Sequence, residues 1–91
     1  MIVKITDASG FNWDIFDNRR DAGNPHINVL YPNVNDAEAA YSSTQGYDFL
    51  ANGFKVKDSS NGHNASGYTY IYAAFAEYPF KNGNAAIYNI N

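Results

Sequence analysis

Cysteine is absent from the sequence. That excludes disulfides, thiol chemistry and cysteine-ligated metal, and leaves the compartment open. Basic residues are scarce: six Lys and Arg against nine Asp and Glu give a net charge of −3 and a pI near 5.0. No basic cluster exceeds Arg19-Arg20. A nucleic-acid surface needs a basic face to offset phosphate, so no nucleic-acid partner is expected. No apolar run approaches the roughly 20 residues of a helical membrane span. The apolar part of Met1-Ile2-Val3-Lys4 is far too short for a signal peptide, so neither membrane insertion nor a leader is expected. There is also no Gly-rich phosphate loop and no nucleophile elbow, and the serines have no recognisable base partner.

What the sequence has in quantity is aromatic surface: eight Tyr, six Phe and one Trp in 91 residues. Asparagine is plentiful too, mostly between strand-like runs. The pattern fits an all-β protein with polar turns and does not fit disorder. The length allows one domain, residues 1–91. A chain of this size buries only about two-thirds of the surface of its unfolded form, so its stability margin is thin.

The strand-like runs come in order. Ile2 to Thr6 is a first strand and Asn12 to Asp17 a second, joined by the turn Asp7-Ala8-Ser9-Gly10. Trp13 and Ile15 are expected inward with Asp14 outward, although Phe16 spoils the alternation. Ile27 to Tyr31 is a third strand, stopped by Pro32. Residues 33–46 show no strand period; Asp36 to Ala40 reads as a helical turn with an Asp cap or as part of a long surface loop. Tyr47 to Leu50 and Phe54 to Lys57 form a hairpin around Ala51-Asn52-Gly53, with Phe54 and Val56 inward. Ala85 to Ile90 reads as a last, edge-type strand. Turns at this spacing fit an antiparallel sandwich.

The run from Tyr68 to Glu77 organises the rest. Tyr68, Tyr70, Tyr72, Ala74 and Ala76 would share one face, and Thr69, Ile71, Ala73, Phe75 and Glu77 the other. Both faces are largely apolar, which predicts a central strand covered on both sides. Its alanines also suit a helix, but Gly67, Pro79 and four aromatics in eight positions favour the strand. The expected core is Trp13, Ile15, Val29, Phe54, Val56, Ile71, Ala73 and Phe75. The tyrosine face then lacks a cover within 91 residues, and such a face marks an interface.

The polar side chains offer little chemistry by themselves. Asp14, Asp17, Asp21 and Glu38 are the acids that could form a glycosidase pair; ion pairing or turn capping explains them better. Asp17 in particular is expected to pair with Arg19 or Arg20 or to cap its turn. His26 and His63 fall short of the three or four protein ligands of a zinc site and are expected at the surface. Asp58 to Gly62 is oxygen-rich but lacks the fixed positions of a calcium loop. Asn64-Ala65-Ser66 matches a glycosylation sequon, and turn formation explains it equally well. No catalytic residue, metal ligand or cofactor is assigned. The aromatics remain as candidate ligand or interface contacts: Trp13, Tyr31, Tyr41, Tyr47, Tyr68, Tyr70, Tyr72 and Tyr78.

A resemblance runs through these segments. Val3 to Asp7, then Asn12-Trp13-x-Ile15-x-Asp17-x-x-Arg20, Leu30-Tyr31-Pro32-Asn33, and Asp48-Phe49-Leu50-x-Asn52-Gly53-Phe54-Lys55 occur in order. They lead into Asn64-Ala65-Ser66-Gly67-x-Thr69-Tyr70-Ile71-Tyr72-x-Ala74-Phe75-Ala76-Glu77-x-Pro79-Phe80-Lys81. The set resembles a lectin-like β-sandwich module of tail-fibre and other virion structural proteins of tailed bacteriophages. The resemblance implies a jelly-roll or lectin-type sandwich, whole or in a partial or minimal version, because family modules usually continue upstream of the Lys4 strand. It implies a virion location after synthesis in the bacterial cytoplasm, a role in attachment or assembly, and no established enzyme activity. It favours a homotrimer, with a dimer second, and partners among host surface glycans or other virion proteins. Tyr68 departs from the pattern, which has a small or polar residue there. The rival expectation is a carbohydrate-binding module acting by aromatic stacking.

Overall fold

A computed structural model describes residues 1–57, 59 and 62–76. β1 (Ile2–Ile5) is the hub of the first sheet. Its alternation of Val3 and Ile5 with Ile2 and Lys4 gives it one dry face. Antiparallel partners flank it in the order β2-β1-β7, where β2 is Asp14–Ile15 and β7 is Tyr70–Ala73. β3 (Asn28–Val29) pairs with β4 (Ala39–Ala40), and β5 (Tyr47–Leu50) with β6 (Gly53–Val56), both antiparallel. Among the described residues the result is all-β, with three small antiparallel sheets, none of which closes into a barrel or a sandwich by itself. No helix among the described residues is long and apolar enough to cross a membrane.

Two short bridges stitch the sheets together. Ile15 and Leu30 exchange backbone hydrogen bonds at 2.9 and 3.1 Å, tying β2 to the residue after β3. His26 and Tyr47 exchange bonds at 2.6 and 3.2 Å, tying the residues before β3 to β5. The Asn24–Pro25 peptide is cis. The Asn24 side chain acts as a short stand-in strand: its Oδ1 accepts from Phe49 N–H at 2.8 Å and its Nδ2 donates to Phe49 O at 3.1 Å. Gly46 makes the His26 approach possible. With φ of +83°, an added Cβ there would lie 2.2 Å from the His26 carbonyl oxygen.

Val3, Phe16, Val29 and Tyr47 form the buried cluster, and Phe49, Phe54 and Val56 of the hairpin pack against it. The hairpin therefore has the expected facing, with Phe54 and Val56 partly buried and Lys55 exposed. Ala39–Ala40 is a strand and not a helical turn, because Ala39 lies opposite buried Val29 in the ladder.

Two facings are the reverse of the expectation. In and beside β2, Asp14 is buried at 5% exposure and Phe16 is completely buried, while Trp13 and Ile15 are only partly covered. The register explains this: Asp14 stands across from Val3 on the dry face of β1. In β7 the register puts Tyr72 and Tyr70 across from Val3 and Ile5, on the core side, and Ile71 across from Lys4 on the other; Tyr70 is partly buried there, while Tyr72 keeps 63% exposure. β7 is also an outer strand of its sheet among the described residues, not a central one. Ile71 is 49% exposed and Phe75, beyond the strand, is 89% exposed, so neither belongs to the core. Both faces of the run are apolar, and only its neighbour β1 decides which one turns inward. Glu77, Tyr78, Pro79 and the expected strand from Ala85 to Ile90 lie outside the described residues, as do Asp58, Ser60 and Asn61.

Candidate functional site

The exposed positions expected for the histidines do not hold: His26 and His63 are 3% and 4% exposed. Each is buried for a different reason. His26 is drawn in by its backbone bridge to Tyr47, and its ring stacks on Phe49 with centroids 3.9 Å apart. His63 is held by a carboxylate. Its Nε2 lies 2.7 Å from Oδ2 of Asp14, a contact that brings together residues 49 positions apart.

The Asp14–His63 pair sits within an aromatic surround. Phe16, Tyr41 and Tyr47 all present their rings edge-on to the imidazole, with centroids 5.7, 4.9 and 5.4 Å away. Tyr41 also donates its hydroxyl to the same Asp14 Oδ2 at 2.8 Å. One carboxylate oxygen thus collects two donors, which is how a buried carboxylate is stabilised away from water. An acceptor oxygen requires the proton on Nε2, so Asp14 sets the tautomer of His63. Burial, then the Tyr31 hydroxyl 3.5 Å away, then the Asp14 charge push the Tyr41 phenol far above its ordinary range. Tyr41 stays neutral and remains a donor.

This network forms one wall of a hollow of about 300 Å³. Phe11, Tyr31 and Tyr41 line it with ring surface, and Asn12 and Gln45 with amides. Asn12 is held by Asn33, whose Nδ2 donates to Asn12 Oδ1 at 2.9 Å while its own Oδ1 accepts from Trp13 N–H. Gln45 Oε1 accepts from the N–H and hydroxyl of Ser42 at 3.0 and 3.1 Å. Both amide oxygens are occupied by protein groups. Neither amide nitrogen makes a hydrogen bond to a described residue, so each is open as a donor.

Of the aromatics expected at a contact surface, the structure brings Tyr31 and Tyr41 together at the hollow. Tyr47 is a core residue at 1% exposure and is covered by protein. Trp13 is partly buried; Tyr70 is partly buried, and its hydroxyl accepts from Ala65 N–H at 2.9 Å. Tyr68 and Tyr72 are exposed, the latter with its ring edge-on to Phe54. Tyr78 lies outside the described residues. Asp17 both caps and pairs: Oδ1 accepts from the N–H groups of Arg19 and Arg20 at 2.9 and 2.8 Å, and Oδ2 meets Arg20 Nε at 2.6 Å. Arg20 continues to Glu38 Oε1 at 2.6 Å and to the carbonyls of Ile15 and Asn28 at 3.3 and 3.4 Å. It clamps the ends of β2 and β3.

The grouping of Asp14, His63 and Tyr41 is not part of the sequence expectation. Its one local signal is Asp14 itself, an acid two residues before Phe16 on what proves to be the dry face. Among the described residues no three His, Asp or Glu side chains gather as a metal would need. No curated protein and no solved structure matched the chain. A family model does match over residues 1–79, and the chain belongs to that family, described as a domain of unknown function (DUF7483).

Proposed function

We propose that this chain is an attachment module of a phage virion appendage and that it holds a carbohydrate in the hollow beside Asp14 and His63. The lining of that hollow carries the reading. Phe11, Tyr31 and Tyr41 offer ring surface for the C–H face of a sugar, and Asn12 and Gln45 offer positioned amide donors for its hydroxyls. The Asp14–His63–Tyr41 network, with both donors converging on one carboxylate oxygen, is a rigid wall in this role. The virion setting rests on the resemblance running from Val3 to Lys81. On this reading the three sheets belong to a β-sandwich of jelly-roll or lectin type, supported by the edge-on meeting of Phe54 in β6 with Tyr72 in β7. A glycan array tests the proposal. Saturable binding by the wild-type chain, lost in Tyr31→Ala, is expected; a folded chain that binds no glycan overturns it.

Assembly with other copies is a second reading, favoured by the exposed Ile71 and Phe75 and by Tyr72 at 63% exposure. Apolar side chains left open around an outer strand suit a contact with another subunit. The resemblance favours a trimer, then a dimer. Light scattering at micromolar concentration decides: a monodisperse, stably folded 10.1 kDa species sinks this reading.

A further inference from the structure

The hollow beside Asp14 has a neighbour. A second, wider hollow of about 690 Å³ is lined by Ser42, Thr44, Lys57 and Asn64, and Gln45 lines both. Gln45 is the best-fixed side chain between them. Ser42 gives both its N–H and its hydroxyl to Gln45 Oε1, and the Gln45 N–H returns to Ser42 O at 3.0 Å. Ser42 Oγ in turn lies 3.1 Å from Thr44 Oγ1. The amide nitrogen of Gln45 is left as a donor at the junction.

The two hollows differ in chemistry. The first offers rings. The second offers hydroxyls, an amide and an ammonium group whose charge already has a counter-ion, since Lys57 Nζ lies 3.5 Å from Asp48 Oδ2. Such a lining suits an uncharged polyhydroxy unit better than an anion. Resting on the carbohydrate reading above, we infer that the site takes an oligosaccharide of at least two units rather than a single sugar. One ring stacks among Phe11, Tyr31 and Tyr41. The next unit places its hydroxyls among Ser42, Thr44 and Asn64, and Gln45 Nε2 donates to the linkage region between the two. One or two added hydrogen bonds correspond to roughly a tenfold gain in affinity from the second unit.

The test uses the full chain with glucose, galactose, rhamnose and N-acetylglucosamine, each as the monosaccharide and as its di- to tetrasaccharides, read by calorimetry and saturation-transfer NMR. The expected result is a roughly tenfold tighter Kd at the second unit for the sugar that binds. The ratio of disaccharide to monosaccharide affinity should collapse in Gln45→Leu. Asn64 is exposed, so Asn64→Ala should fold normally and also lower that ratio. A monosaccharide that binds as tightly as its oligomers overturns the two-unit site while the sugar-binding function stands. A chain that binds neither the monosaccharides nor their oligomers overturns both. A length gain that survives both variants places the second unit elsewhere and refutes the assignment.

Discussion

Changing Tyr41 to Phe removes a single oxygen from the chain. That oxygen donates to Asp14 Oδ2 at 2.8 Å, on a ring already packed near Phe16 and His63. Hydrogen bonds to charged groups contribute roughly 1.5–3 kcal/mol. Two features reduce the figure here. Asp14 Oδ2 keeps His63 at 2.7 Å, and the ring lines a hollow from which water can reach the vacated place. The expected loss is therefore about 1–2 kcal/mol, or a fall in Tm of roughly 4–16 °C for a domain of this size. Urea unfolding followed by circular dichroism measures it. Tyr31→Phe is the comparator: its hydroxyl contact with Tyr41 is 3.5 Å long, at the limit of a hydrogen bond, and its loss should stay within about 0.5 kcal/mol. The alkaline limb gives a second readout. Burial first, then Tyr31 and Asp14, raise the Tyr41 phenol in the folded state. Its stabilising effect is therefore complete below the unfolded value of about 10 and is lost as pH rises beyond it. Tyr41→Phe should flatten that decline. Equal losses for the two variants, or none for Tyr41→Phe, would refute the network.

Three further outcomes follow from the geometry. Phe16→Ala should cost roughly 3–5 kcal/mol, and Phe75→Ala, at an exposed position, should stay within about 0.5 kcal/mol; chemical denaturation of the pair checks that Phe16, and not Phe75, belongs to the core. Gly46→Ala forces a Cβ against the His26 carbonyl in a left-handed backbone, so a loss of at least about 1–3 kcal/mol is expected, with faster amide exchange at His26 and Tyr47. At acid pH, Asp17 is held below its ordinary range by the Arg20 N–H, further bonds from Arg20 and Arg19 adding to it. Burial raises Asp21, but the N–H groups of Asn28 and Ile27 outweigh that and lower it overall. Both carboxylates thus stabilise the fold above about pH 4 and cease to do so as pH falls through their lower folded values. Asp17→Asn, costing roughly 1 kcal/mol for a partly exposed pair, and Asp21→Asn should each make the acid limb of a urea-midpoint profile shallower.

Local pattern made some of this legible and long-range pairing hid the rest. The hairpin from Tyr47 to Val56 follows from Asn52-Gly53 and from Phe54, Lys55 and Val56 alternating beside the turn. The Asp17 cap is equally local, with its donors two and three residues away. β7 carries apolar residues on both faces, so its own sequence cannot orient it. Val3 and Ile5, some 65 to 70 positions earlier, do so through the ladder. Asp14 turns inward for the same reason. Alternation around Trp13 and Ile15 points it outward, whereas its partner Val3 turns it in, and the groups that make its burial tolerable are Tyr41 and His63. Two of the hollow's ring residues, Tyr31 and Tyr41, were recognisable as aromatics in or near polar loops. That Gln45 and Asn12 join them depends on Ser42 and Asn33 fixing their amides.

The contrast between the two buried histidines separates structure from site. Among the described residues, buried apolar side chains are few: Val3, Ile5, Phe16, Val29 and Tyr47. A small core gains most from apolar residues, because each buried polar group must be satisfied by a partner. His26 is buried as a consequence of the chain path: its backbone bridges Tyr47, its ring covers Phe49, and its Nε2 has no hydrogen-bond partner among the described residues. Nothing in the path requires Asp14. An apolar residue at that position would make the same ladder pair with Val3 and would not need His63 and Tyr41 to satisfy it. Replacing buried, hydrogen-bonded polar partners by well-packed apolar residues is often neutral or stabilising, so stability alone does not account for a carboxylate there. Its position does. Asp14 and His63 both line the hollow, and Tyr41 reaches from the same wall to the same oxygen. Polar groups that run against the needs of the core, yet bond to one another and line one cavity, point to a site rather than to scaffolding. The ligand hypothesis is therefore centred on this hollow and not on the exposed aromatics of β7.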